Sequence, residues 1–85
     1  MRLRASVREA LAGHGVTIGA RDTAVELRER LNDLYLDEVR RLKARQQAGE
    51  IPLREYAGHA QALKDRYPLL ALPLEKWTEP EVERS

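Results

Sequence analysis

The chain has 85 residues, 15 of them basic and 14 acidic, so its formal net charge is +1. That length holds one small domain burying only about 60–65% of its unfolded surface, which excludes a large enclosed active site in a monomer. Cysteine is absent, which excludes disulfides, thiolate chemistry and Cys-based zinc sites, and the balanced charge excludes a polyelectrolyte while leaving room for a local basic patch.

The opening segment, MRLRASVREALAG, lacks the continuous apolar stretch of a signal peptide. No segment approaches the roughly 20 apolar residues of a membrane span. The expectation is a soluble, cytoplasmic protein with no membrane partner. Ser6 with Glu9 three residues on has the capping-box pattern, which predicts a short first helix. Leu3, Val7, Ala10 and Leu11 share one face of it, and Gly13 is expected to end it in the left-handed conformation. Gly15 and Gly19 then bracket Val16, Thr17 and Ile18, whose β-branched side chains favour an extended loop.

Thr23 and Glu26 form a second capping-box pattern. No Gly or Pro follows until Gly49, which predicts a long helix over about 23–48, roughly 39 Å at 1.5 Å per residue. Its stripe is Ala24, Leu27, Leu31, Leu34, Tyr35, Val39 and Leu42, drifting around the helix rather than holding a strict heptad. Val25 and Leu36 lie well off the centre of that stripe, so the apolar arc is wider than one neighbouring helix would cover.

Ile51 and Tyr56 have the spacing of a hydrophobic staple, Pro52 suits a first turn, and Glu55 sits where a negative charge meets the positive end of the helix dipole. A third helix over about 52–67 follows, with the stripe Tyr56, Ala60, Leu63 and Tyr67. Ala57, Gly58 and Ala60 are small enough to allow close approach to the long helix. The short link predicts antiparallel packing. Beyond Pro68 comes a Leu/Pro-rich tail in which Pro73 prevents a long regular helix. The predicted fold is therefore all-α: short helix, extended loop, long helix, antiparallel third helix and tail. Residues 1–77 are expected to form the single helical domain and 78–85 a disordered tail.

Little in the chain carries chemistry. The spacing in GHGVTIG misses the dinucleotide fingerprint, since the third glycine comes one residue late and a helix precedes it. Neither His14 nor His59 is followed by a His or carboxylate at i+3 or i+4, so neither starts a helical metal pair, and both are expected on the surface. Asp37 and Glu38 diverge by about 100° on a helix and read as a solvated face. No catalytic residue, metal site, cofactor or small-molecule substrate is expected. The stretch RRLKAR holds the strongest local positive charge. Arg40, Arg41, Lys43 and Arg45 either complement the helix dipole and Asp37/Glu38, or form a phosphate-contacting patch.

Two partial resemblances add to this. Val7 and Leu11, HGV at 14–16 and AVELRERL at 24–31 resemble the helix–extended loop–helix modules of the SAP and LEM type. That resemblance implies DNA or protein binding through the loop and the start of the second helix, by Thr17, Ile18, Arg21 and Arg28. Residues 42–67, with AGEI at 48–51 and then Glu55-Tyr56, look like a SHOCT-like helical hairpin, which implies oligomerisation or attachment to a partner.

The expected function is a non-catalytic interaction module that self-associates, as a homodimer or higher oligomer, or docks on another protein. Its interface would draw on Val25, Leu36, Leu69, Leu70, Leu72, Leu74 and Trp77, the apolar surface the predicted helices leave unspent. The alternative is a DNA-binding protein that uses the loop and the basic stretch 40–45.

Overall fold

A computed structural model describes residues 2–80. Three helices account for most of them: α1 (Ala5–Gly13), α2 (Ala24–Gln47) and α3 (Leu53–Asp65), followed by two 3₁₀ turns at Pro68–Ala71 and Leu74–Lys76. The fold is all-α, as the sequence predicts, and no strand occurs among the described residues.

Both helix-ending glycines close Schellman motifs. After α1, Gly15 has φ +79°, Val16 N–H donates to the Leu11 carbonyl (2.9 Å) and Gly15 N–H to Ala12 (3.0 Å). Val16 and Leu11 are both buried, the apolar contact that accompanies this motif. After α2, Gly49 has φ +82°, with Glu50 N–H donating to Arg45 (2.9 Å) and Gly49 N–H to Gln46 (3.1 Å). The left-handed residue after α1 is thus Gly15; Gly13 stays inside the helix.

At the start of α2, Glu26 N–H donates to Thr23 Oγ1 and the Thr23 hydroxyl to Glu26 Oε1, both at 3.2 Å, so Thr23 caps the helix as expected, while Glu26 answers the hydroxyl rather than the Thr23 N–H of a full capping box. Ser6 does not cap α1. Arg4 is the N-cap, its carbonyl accepting from Val7 and Arg8 N–H at 3.0 Å each. The reason lies at the other end of the chain, which fixes Arg4 before the helix begins. Leu3 and Thr78 form an antiparallel bridge, Arg4 N–H donates to the Trp77 carbonyl (3.0 Å), and Glu79 N–H to Arg2 (2.9 Å).

This clasp seats Trp77 in the core with no exposed surface. Leu3, Val7, Leu11, Val16, Leu27, Leu31, Tyr67 and Leu69 are buried with it. The Leu/Pro-rich tail therefore folds as part of the domain, and its backbone contacts with the first strand-like residues reach Thr78 and Glu79. Of the expected disordered tail, residues 81–85 lie outside the described residues.

α2 and α3 form an antiparallel hairpin with Leu42, Ile51 and Leu63 buried. α3 runs from Leu53 with Pro52 as its N-cap, slightly shorter than expected. Tyr56 and Ala60 are half-buried and Leu63 and Tyr67 buried, following the predicted stripe. Two details differ. Gly58 faces open space, so it allows no close helix approach. Leu34 keeps 38% of its surface, because α3 covers the Tyr35–Leu42 side of α2 and leaves that flank open.

Candidate functional site

Two surfaces on opposite flanks of the hairpin carry most of the predicted site residues; Leu53, the most exposed large apolar side chain at 73%, lines neither, and Leu34 falls on the side of Arg41 and Arg45. At about 100° per residue, Val25, Asn32, Leu36 and Lys43 fall within about 40° of arc on α2, while Arg41 and Arg45 lie roughly 160–200° away. The packing of α3 between these flanks keeps the two surfaces apart.

The first flank is apolar at one end. Val25 is 50% and Leu36 38% exposed. Val25, Arg28, Glu29, Asn32, Leu70 and Leu74 line one depression. Asn32 also borders a groove of about 400 Å³ whose walls include Tyr35, Pro68, Leu70 and Ala71. The tail supplies half of this surface, because the turn at Pro68–Ala71 lies against α2 with Arg28 Nη2 donating to the Leu70 carbonyl at 3.3 Å.

The interface expectation thus divides. Val25 and Leu36 are exposed, and Leu70, Leu72 and Leu74 are half-buried. Leu69 (7% exposed) and Trp77 (0%) are spent on the chain's own core and present nothing to a partner in this conformation. Arg28 is likewise half-buried against the tail, which removes it from the DNA-contact set.

The second flank is a cleft of about 350 Å³ between α2 and α3, lined by Glu38, Arg41, Arg45, His59 and Arg66 over a floor of Leu42, Ala62 and Leu63. Glu38 is already engaged. It accepts from Arg66 Nη2 at 3.1 Å and from the Tyr67 hydroxyl. Burial, then the Glu38 hydrogen bond and charge, push the Tyr67 phenol up to about 12. His14 stacks on Tyr67 with ring centroids 4.3 Å apart and is half-buried, against the expectation of an exposed loop residue. Among the described residues, neither Arg41 nor Arg45 enters an ion pair.

The sequence reading offers His59 only as a surface histidine without a metal partner and does not single out Arg66. The signal was available in the turn: residues 45 and 59 stand seven positions either side of Pro52, and 38 and 66 fourteen, so an antiparallel hairpin puts them face to face. Arg40 pairs instead with Asp37 (3.1 Å), and Lys43 points to the opposite flank. Thr17 and Arg21 are exposed in the loop before α2. That loop is about 25 Å along the helix from Arg41, so the residues of the DNA alternative do not form one surface.

The loop itself is pinned. Asp22 accepts from Gly19 N–H (2.7 Å) and, with both oxygens, from Arg30 (2.7 and 2.8 Å); Arg30 also reaches the Thr17 carbonyl (3.5 Å). The Arg30 hydrogen bonds, then the Gly19 amide, hold the Asp22 carboxyl down at about 2. Because this pKa is depressed on folding, its stabilisation is complete above the unfolded value near 4 and lost as pH falls towards 2. In urea titrations, the native chain is expected to be more stable than Asp22→Asn by a constant margin above about pH 4.5. That margin should close towards pH 2; one unchanged down to pH 2 would contradict the assignment.

Glu55 precedes His59 by one helical turn beside a shallow depression, but no group of three or more metal-ligating side chains occurs among the described residues. No described helix is long and apolar enough to cross a membrane. No protein family, no characterised protein and no solved structure matches this chain.

Proposed function

We propose that the protein is a non-catalytic helical interaction module that self-associates through the exposed flank of α2. The observation that carries this reading is that Val25 and Leu36 are both exposed on one flank of α2, with the half-buried Leu70 and Leu74 beside Val25. Large apolar side chains aligned along one helix face mark an interaction surface more often than a scattered few do.

The charge order along that flank favours a second copy as the occupant. Glu29 lies towards its N-terminal end, and Arg40 and Lys43 lie towards its C-terminal end. Pairing two α2 helices antiparallel about Leu36 sets each Glu29 opposite the other chain's Lys43, and Asn32 opposite Arg40. Leu36 then sits on the twofold axis, against its own copy. A twofold interface must be self-complementary in this way. Parallel pairing would instead place like charges together.

The contact is one helix wide, so it belongs with small interfaces and micromolar-range dissociation constants. Charge reversal tests it. Glu29→Lys and Lys43→Glu should each weaken self-association about tenfold, and the double reversal should restore it, as measured by sedimentation equilibrium at low salt. Failure of the double variant to recover would count against antiparallel pairing.

A further inference from the structure

We infer that the cleft between α2 and α3 is a second binding site, for the phosphate backbone of a nucleic-acid strand. It goes beyond the self-association reading and lies on the opposite flank. Three arginines and His59 line a trough whose one carboxylate, Glu38, is already engaged by Arg66 and Tyr67. Arg41 and Arg45 are both exposed and pair with no carboxylate among the described residues. Uncompensated guanidinium groups in a concave, partly apolar trough concentrate the field on an anion, and their planar forks suit phosphate oxygens.

The layout favours a linear polyanion over a single ion. Arg41 and Arg45 stand one turn apart, about 6 Å along α2, and Arg66 and His59 are staggered along the facing wall. The charges are thus spaced along the trough instead of converging on one point. No Phe, Tyr or Trp lines the cleft, and His59 is the one ring along it. Contacts therefore go mainly to the backbone, and binding should show little sequence preference and a steep dependence on salt.

The test is fluorescence anisotropy with a labelled oligothymidylate strand and the full chain, at about 50 and 200 mM salt. Binding is expected at the lower salt. Arg41→Ala/Arg45→Ala should weaken it at least tenfold and flatten the log–log salt slope by about 1.4, or about 0.7 per lost contact. The control Arg8→Ala/Lys76→Ala removes the same charge from exposed positions on α1 and the tail, and should stay within about threefold of the native chain. Leu36→Glu should also bind, since it alters only the other flank. The proposal is overturned by an absence of binding at the lower salt. It is equally overturned if the control loses as much as the cleft variant, or if polyglutamate competes as well as unlabelled oligonucleotide does.

Discussion

Replacing Trp77 with alanine is expected to destabilise the domain by about 3–5 kcal/mol, the usual cost of deleting a fully buried large aromatic ring. A chain of this length has roughly 4–13 kcal/mol of stability in all, so the variant would retain little folded population in mild urea. The physical reason is position. The ring is wholly buried, and the backbone on either side of it is held by the bridge between Leu3 and Thr78 and the Arg4-to-Trp77 hydrogen bond. Losing the ring removes the core contact that justifies ordering both chain ends.

The indole N–H of Trp77 finds no acceptor in the protein. Its hydrophobic body, rather than a hydrogen bond, is therefore what matters. Trp77→Phe keeps most of that body and should cost less than half as much. Urea unfolding followed by the helical circular-dichroism signal at 222 nm measures both variants. An alanine variant with a native midpoint would mean that the tail is not part of the core.

The second large effect is expected at Leu36. In the antiparallel pairing proposed above, each Leu36 meets its own copy, so one substitution changes the interface twice. Leu36 is 38% exposed in the monomer, so pairing covers only part of the side chain. Two such losses amount to about 2 kcal/mol when a fully buried leucine contributes roughly 1.5–3 kcal/mol. Leu36→Glu also sets two like charges against each other across the axis, at a further cost of about 1 kcal/mol. Together these predict a dimer weakened by roughly 30- to 200-fold, since each 1.4 kcal/mol is a factor of ten. The fold should survive, because the side chain is on the surface and glutamate is a good helix former. A native circular-dichroism spectrum with unchanged self-association would remove Leu36 from the interface.

The helices were legible because their signals are local. Thr23 with Glu26 started α2, Gly49 stopped it, and Tyr56 to Tyr67 traced the buried face of α3. The errors share one cause, which is contact between distant parts of the chain. Ser6 carries the pattern of a cap, but Arg4 takes that place because it is tied to Trp77, more than seventy positions away. Gly13 and Gly15 are both plausible helix stops; the one whose next residue could bury against Leu11 was used. Pro73 breaks the periodicity of the tail, so no helical pattern disclosed that Leu69 and Trp77 are core residues. That mistake enlarged the predicted interface. The basic cleft had the opposite problem, since its arginines and His59 come from two helices and meet only through the antiparallel register.

Sedimentation equilibrium of the native chain, from about 1 µM to 1 mM at low salt, tests self-association most directly. The mass should rise with concentration from 9.7 kDa towards twice that value, and a Leu36→Glu chain should stay near 9.7 kDa over most of the range. A native chain that remains at 9.7 kDa up to 1 mM would contradict self-association.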